Sequence, residues 1–440
     1  MLDRRVGWIL IGLAIVARGA AVLILQSHTV PRSTYEHGEI AANLLAGHGF
    51  AVQYLGADGP TSQQAPLYPV VVAGAYWLGG VGTPRALLIL ELGQAVLGGV
   101  LVLAVLALAG ALAPKTRWVT PLAGLIVAVA PTLVYSATHV QVVGLATTLL
   151  VVALGGAERT ARTGRTSDAI GSGISLGLLA LADPILALVA PAMAWSIARD
   201  RAWRQTARLV GLIAITASVC VLPWVVRNAR VHGEFVPIKS SFGYAFWQGN
   251  NALSAGTDKV VRSSATRIAD RAAGSLLDQN RALWEARHEA GYIDDIALTR
   301  ADYRELGAVS EPERSRRLFR RAWADLRADP IRYPRLCLRR LRFFVLFDDT
   351  NPKTRSLIYR ISHLGLTVAA GLGLFLARGD IRRRLGPTLL VAGLIAGFHT
   401  LTIVSARFHL PIEPLMAIWA ASGVSRWDLG RDQPRLPTTS

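Results

Sequence analysis

Long apolar stretches separated by short polar connections dominate the chain, and one long hydrophilic segment interrupts them. Several stretches approach the roughly 20 residues that a helix needs to cross about 30 Å of hydrocarbon. The pattern therefore predicts an all-α polytopic membrane protein with about 10 transmembrane helices. The expected spans lie at about residues 6–26, 67–83, 86–112, 118–136, 140–156, 169–197, 206–226, 357–377, 385–404 and 410–424.

The polar segments divide the chain into four regions. We expect an N-terminal transmembrane module at 1–226 with an outer loop at 27–66, a long outer loop with amphipathic helices at 227–356, C-terminal transmembrane helices at 357–426 and a disordered tail at 427–440. Within the long loop, Glu313 to Asp329 has the pattern of a basic amphipathic helix, which is typical of the membrane interface.

The stretch at 169–197 decides the topology. It contains Asp183-Pro184, so it is one broken helix or two short ones, and Asp183 is expected to cap a helix at the break. Counted once, it leaves seven spans before the long loop, which places that loop on the same side as residues 27–66. The N-terminus then lies in the cytoplasm as an uncleaved first span. The cations around Arg199 support this orientation, whereas those at 159–165 fit it badly.

Composition supports a membrane protein and adds a strong positive charge. Hydrophobic residues make up 52% of the chain, charged residues 17%, and the mean hydropathy is +0.38. The net charge of +18 comes mainly from arginine between the spans, which indicates contact with lipid phosphates rather than with nucleic acid. The two cysteines, Cys220 and Cys337, imply no disulfide framework.

Charged residues near the membrane are the candidates for chemistry. Glu36, His37, Glu39 and His48 follow the first span, and carboxylates near lipid are costly unless they are solvated, paired or used. The alternative is that the two carboxylates lie in the solvated first turn of a helix, where acidic side chains interact favourably with the helix dipole. The two histidines have no third ligand nearby, so we expect no metal site. Arg18, deep in its span, predicts a partner, and Glu91 is the candidate.

Four stretches resemble the GT-C superfamily of polyprenyl-phosphate-sugar glycosyltransferases, and are most similar to the branch of protein O-mannosyltransferases and the aminoarabinose transferase of lipid A. They are Ala41 to Phe50 with Ala65-Pro66-Leu67-Tyr68-Pro69, then Leu222 to Ile238 with Gly249-Asn250-Asn251, then Asp329-Pro330 with Tyr333, and finally Arg407 to Pro414. Together they bracket most of the chain in the order of that family.

The resemblance implies a fold, a donor and a set of site residues. Family members carry an Asp near the position of Ser33, so the role of the general base passes to Glu36 first and Glu39 second. It further implies Arg407 and Arg227 as ligands of the donor phosphate; the alternative is that both snorkel to the interface from span ends. We expect no cofactor. The implied substrate contacts are His37, His48, Tyr68, Asn250, Trp247 and His409.

The implied activity is inverting transfer of a sugar from a polyprenyl-phosphate donor, on the outer face of the cytoplasmic membrane. The acceptor, which could be a glycan, a lipid or a protein, cannot be read from the sequence. Two alternatives remain: a transporter or flippase of lipid-linked sugars, and a non-catalytic membrane assembly protein. An enzyme should bring Glu36 or Glu39 and Arg407 together under one cavity.

Overall fold

The computed structural model describes residues 3–30 and 34–430, which form α-helices joined by 3-10 turns, loops and isolated β-bridges. This confirms the all-α class. The helices of the N-terminal region are α1 (Arg4–Leu25), α2 (Tyr35–Leu45), α3 (Leu67–Gly79), α4 (Pro84–Leu112), α5 (Val119–Val129), α6 (Pro131–Ser136), α7 (Val143–Thr163), α8 (Thr166–Ala182), α9 (Ala190–Asp200) and α10 (Trp203–His232).

The long hydrophilic segment and the C-terminal region are helical as well. Their helices are α11 (Phe242–Asn250), α12 (Ser263–Asp270), α13 (Leu276–Ala290), α14 (Asp294–Ala297), α15 (Arg300–Gly307), α16 (Glu311–Ala328), α17 (Arg332–Val345), α18 (Leu357–Leu376), α19 (Gly379–Leu401) and α20 (Glu413–Ser422). A 3-10 turn at Gly423–Gly430 follows α20, and the rest of the predicted disordered tail lies outside the described residues.

Within the described residues, 6 helices are long and apolar enough to cross a membrane: Arg4–Thr29 (α1 with the turn that follows it), α4, α7, α10, α18 and α19. Three further predicted spans fall on the shorter apolar helices α3, α5 and α8. The predicted span at 410–424 begins with a 3-10 turn, Leu410–Ile412, and continues as the short helix α20. A polytopic helical architecture is therefore present, and the count of about ten spans stays a prediction.

A proline break between α5 and α6 explains the membrane-embedded arginine. Pro131 has no N–H to donate to the carbonyl of Val127, four residues earlier. The Arg18 guanidinium donates instead, to Val127 O at 3.1 Å and Ala128 O at 3.0 Å. Gly98 provides the space, because a Cβ there would stand 2.2 Å from Cδ of Arg18.

The predicted pair of Arg18 with Glu91 is wrong for this reason: the carbonyls freed by the break occupy the guanidinium. Glu91 is buried in α4, and its Oε2 lies 3.2 Å from Nδ1 of His28, at the outer end of the first span. The helix break predicted at Asp183-Pro184 is present. Asp183 ends α8 and accepts a hydrogen bond from the N–H of Ile185 at 3.1 Å, which confirms its role as a cap.

The two outer segments pack against each other through a buried carboxylate. Glu311, at the start of α16, accepts hydrogen bonds from Thr61 Oγ1 at 2.6 Å and from the N–H of Ser62 at 2.8 Å. Arg314, one turn later, donates to the carbonyl of Tyr54 at 2.7 Å. These contacts join residues 54–62 of the first outer loop to the start of α16. The side of the membrane on which both segments lie stays a prediction.

The predicted amphipathic helix is present as α16, and protein covers most of its apolar face, leaving Trp323 exposed. Leu318 and Leu326 are buried in a cluster with Phe246 and Tyr54. This face was expected at the membrane interface, and the outer loops occupy that surface instead. The neighbouring basic helix α17 leaves apolar side chains exposed, with Leu338 at 70%.

Candidate functional site

A cavity of about 400 Å³ lies where α1 meets the outer segments. One wall is apolar and comes from α1, with Ala17, Ala21 and Ile24, and from Leu276 and Leu283 of α13. The lining also includes four cations, which we call the cation cluster: Lys259, Arg287, Lys353 and Arg407. The cavity therefore has the polarity of an amphiphile with an anionic head group.

Lys259 is the most unusual member of the cation cluster. Its side chain is 3% exposed, and Nζ has no hydrogen-bond partner in the described part of the chain. The ammonium stands 3.3 Å from the ring centroid of Tyr292. Burial lowers the pKa of Lys259 to about 8, an effect that the carboxylate of Asp258 opposes and the charges of Arg287 and Arg407 increase. A buried cation without a partner is costly, and an anion in the cavity would relieve that cost.

The other three cations are held by aromatic rings. The Arg287 guanidinium lies 5.0 Å from the ring of Tyr35 and 5.2 Å from that of Trp284. Lys353 lies 4.2 Å from the Trp284 ring and hydrogen-bonds to Nε2 of His139. Arg407 is on the turn before α20, with its guanidinium 5.5 Å from the Phe408 ring. A cation over an aromatic face is attracted by the negative charge of the ring face, so these contacts orient the three side chains.

Polar side chains gather beside the first turn of α2, in a group that we call the Glu36 pocket. Glu36 is half-buried in the first turn of α2, and its Oε1 accepts a hydrogen bond from Gln63 Nε2 at 3.0 Å. His37 is buried beside it, with its ring 4.9 Å from that of Tyr68. Lys239, from the long loop, donates to Oε1 of Gln64 at 3.0 Å.

Electrostatic effects connect the Glu36 pocket to the cavity. Burial, together with the charges of Lys239 and Arg407, lowers the pKa of His37 to about 3, so this imidazole is neutral. Burial also lowers the pKa of Lys239, against the carboxylates of Asp183 and Glu36. Arg407 therefore lies close enough to act on both pockets, whereas Glu36 and Glu39 do not line the cavity themselves.

Two carboxylates near these pockets were not predicted. Asp258 lines the cavity, and its Oδ1 has no hydrogen-bond partner among the described residues. Asp294 opens α14 near Tyr244 and Tyr54, and burial raises its pKa. The charges of Glu36 and Asp294 raise the pKa of both tyrosines, after the larger effect of burial.

Several predicted site residues lie elsewhere. Arg227, predicted as a phosphate ligand, donates to the carbonyls of Thr61 and Phe50 and does not line the cavity. Glu39 is exposed, and its Oε1 accepts the N–H of Gln53 at 2.6 Å. His48 is also exposed, with Nδ1 3.3 Å from Oδ1 of Asn43. Ser33, where the family's Asp was placed, lies outside the described residues.

The remaining predicted substrate contacts are buried and engaged with protein. Tyr68 donates to Oε1 of Gln94 at 3.0 Å. Asn250 donates to the carbonyls of Phe246 and Thr402. Trp247 is 3% exposed and stacks on Tyr244. His409 faces Glu413 and Tyr359 beneath the cavity.

Sequence reasoning missed most of the cation cluster for a definite reason. Lys259, Arg287 and Lys353 are far apart in the sequence and look like ordinary charges of a hydrophilic loop. Only Arg407 belongs to a recognisable motif. The polar run Thr257-Asp258-Lys259 could have indicated a buried polar site. Its burial depends on tertiary packing, which the sequence does not show.

Comparison with known proteins identifies the fold. No protein-family model and no curated protein matches the chain. Among solved structures, the oligosaccharyltransferase AglB from Archaeoglobus fulgidus, in complex with an inhibitory peptide and a dolichol-phosphate, is 13% identical with a TM-score of 0.55, covering 96% of this chain and 50% of that one. The same enzyme, tethered to an acceptor peptide with the NVT sequon, is 12% identical with a TM-score of 0.54. The match covers 96% of this chain and 49% of that one.

ArnT from Cupriavidus metallidurans, bound to undecaprenyl phosphate, is 14% identical with a TM-score of 0.42, covering 96% of this chain and 78% of that one. The chain spans about half the length of AglB. The likeness to AglB shows that this chain shares the fold of that oligosaccharyltransferase, which fits the expected GT-C architecture.

Proposed function

We propose that the chain is an inverting glycosyltransferase that takes a sugar from a polyprenyl-phosphate donor and transfers it to an acceptor on the outer face of the cytoplasmic membrane. The observation that carries this proposal is the cavity, which combines an apolar wall from the first membrane span with the cation cluster. The fold neighbour AglB is described in complex with a dolichol-phosphate, a ligand of the same chemistry.

The cavity fits each part of such a donor. The prenyl chain would lie along Ala17, Ala21 and Ile24, where it replaces contacts with lipid. The phosphate would bind between Lys259 and Arg407, since an ammonium supplies a point charge and a guanidinium supplies a planar fork for two phosphate oxygens. The sugar, attached to that phosphate, would extend toward the Glu36 pocket, on which the charge of Arg407 already acts.

The transfer needs one base and a stabilised leaving group. The Glu36 carboxylate takes the proton of the acceptor hydroxyl or amine as that atom attacks the anomeric carbon. The bond from this carbon to the phosphate oxygen breaks, and polyprenyl phosphate leaves with its negative charge on the cation cluster. A single displacement inverts the anomeric centre and requires no second carboxylate as nucleophile. His37 is neutral, so it does not pair with Glu36 as a cation.

A flippase would also bind a lipid-linked sugar, and it would place charged residues near the membrane midplane. The arginine buried within the first span, Arg18, is committed to the carbonyls of the broken helix α5–α6. The carboxylates of the candidate site lie instead in the outer loops. This arrangement favours the enzyme.

Donor binding tests the proposal directly. Native mass spectrometry of the purified protein with undecaprenyl phosphate should show a bound lipid. Arg407→Ala should weaken binding, and Arg407→Lys should restore it only in part, because an ammonium keeps the charge and loses the fork. Arg378→Ala, at a cation outside the cavity, is the control. Equal lipid binding by wild type and Arg407→Ala would contradict the proposed site.

A further inference from the structure

A buried cluster of metal-ligand side chains lies beneath the cavity and has no part in the proposed transfer. It consists of His363 on α18, His409 on the turn before α20 and Glu413 at the start of α20, and we call it the His363 cluster. Their exposed fractions are 2%, 3% and 0%. Histidine and glutamate buried together in this way require partners that satisfy their lone pairs and charge.

The ring of His363 is oriented by the backbone. Its Nε2 lies 3.0 Å from the carbonyl oxygen of Val345. A carbonyl can only accept, so Nε2 carries the proton and the neutral ring presents the lone pair of Nδ1 on its other side. This Nδ1 faces Oε1 of Glu413 at 3.7 Å.

Two buried acceptors thus point at the same space. Neither Nδ1 of His363 nor Oε1 of Glu413 has a hydrogen-bond partner within the described ranges of the chain. The third group, Nε2 of His409, lies 3.3 Å from the same Oε1. Lone pairs converging in a dry site repel each other unless a cation lies between them.

The spacing matches that of a first-row metal ion. The three ligand atoms all lie within 4.8 Å of one another. Two ligands at about 2.0–2.1 Å from a tetrahedral zinc ion stand roughly 3.3 Å apart. The hydroxyl of Tyr359 lies 3.3 Å from Nε2 of His409, at the edge of the cluster.

The surroundings also match those of a metal site. Metal-bound histidines usually donate their second N–H to a carbonyl or carboxylate, and metal-bound carboxylates are themselves hydrogen-bonded. His363 meets the first condition through Val345, and Glu413 meets the second because Thr132 Oγ1 donates to its Oε2 at 2.5 Å. Imidazole and carboxylate ligands together suit zinc better than magnesium or calcium.

We propose that the His363 cluster binds one divalent transition-metal ion of the zinc class. The ion joins α18 and α20 to the α5–α6 break that carries Thr132. Thr132 and Tyr359 also line the cavity, so the metal would fix part of its floor. This proposal does not depend on the proposed glycosyl transfer.

Metal analysis of the full-length protein tests the site. Protein purified in detergent and supplied with zinc should retain one zinc ion per chain, and cobalt should give the visible absorption of a tetrahedral site. His363→Gln and Glu413→Gln should lose the metal. His399→Gln is the matched control, because His399 is a buried histidine outside the cluster that bonds to the carbonyl of Ile403.

A second variant and a second measurement guard against misfolding. Thr132→Val should keep the metal but weaken its affinity by about 10- to 100-fold, the usual loss when a partner of a ligand is removed. The thermal midpoint of the wild-type protein should fall with a chelator and recover with zinc. The proposal is overturned if the protein binds no metal and zinc does not change the thermal midpoint. It is also overturned if His363→Gln and His399→Gln hold equal amounts of metal. The cluster would then be satisfied by a shared proton.

Discussion

Glu36 and Glu39 lie one helical turn apart on α2 and have different surroundings. Glu36 is half-buried, bonded to Gln63 and within the field of Lys239. Glu39 is exposed, and it holds the N–H of Gln53 in the loop. A general base must come within hydrogen-bond reach of the acceptor, so we keep Glu36 as the first candidate and Glu39 as the second.

Glu36→Gln should therefore reduce sugar transfer by about 10²- to 10⁴-fold, the usual cost of losing a general base, while an amide keeps the hydrogen bond to Gln63. Glu39→Gln is the matched control, since its amide oxygen can still accept from Gln53. Initial rates with a lipid-linked donor measure both variants. Near-normal transfer by Glu36→Gln would remove it from the mechanism.

Donor affinity should depend on pH through Lys259. Its pKa is lowered to about 8, so the ammonium is present below that pH and is lost above it. Binding of polyprenyl phosphate should weaken by about tenfold as the pH rises through 8, the value expected for one charge-assisted hydrogen bond. Lys259→Gln should bind weakly at every pH.

Titrations of lipid binding between pH 6.5 and about 9.5, a range that brackets the lowered pKa, measure this effect. Lys115→Gln, at an exposed cation outside the cavity, should keep the wild-type profile. If lipid binding by the wild-type protein shows no step near pH 8, Lys259 does not contact the phosphate.

At the scale of elements, α16 holds the first outer loop in place. Glu311 accepts from Thr61, from the backbone of Ser62 and from Ser240. Thr61 and Ser62 are buried, so their donors cannot turn to water if the carboxylate is removed. The loop that carries the Glu36 pocket thus depends on a helix more than 240 residues away in the sequence.

Glu311→Ala should lower the free energy of unfolding by about 3 kcal/mol or more, because each buried donor that loses its acceptor costs about 1–3 kcal/mol. Thermal unfolding and proteolysis of the loop at residues 51–66 measure the effect. Glu313→Ala is the control, since Glu313 forms only surface ion pairs, which contribute little. Equal loop protection in the two variants would refute the role of Glu311.

Sequence patterns predict a helix or a helix break well when neighbouring residues determine it. They fail when the feature depends on a contact with a distant part of the chain. The apolar runs predict the long helices, and Asp183-Pro184 predicts a break with a cap. Sequence patterns do not reveal that Pro131 leaves backbone carbonyls free to accept from Arg18. They also do not reveal that α16 packs on the first outer loop. Both depend on contacts between segments more than 100 residues apart.

At the scale of the whole molecule, the account requires residues 27–66 and the long loop on the outer side. In a variant without Cys220 and Cys337, Ala46→Cys and Ala273→Cys should both react with an impermeant thiol reagent applied outside intact cells. Ala202→Cys, between α9 and α10, should react only after the membrane is opened. Labelling of Ala202→Cys from outside, or of one loop alone, would invalidate the seven-span count.

The central claim is transfer of a sugar from a polyprenyl-phosphate donor, and mass spectrometry of the lipids and glycans of a deletion strain tests it most directly. The account predicts that the strain accumulates a lipid-linked sugar and loses that sugar from an envelope acceptor. The wild-type chain and Glu39→Gln should restore both, and Glu36→Gln should restore neither. Unchanged lipids and glycans in the deletion strain, or full restoration by Glu36→Gln, would contradict the account.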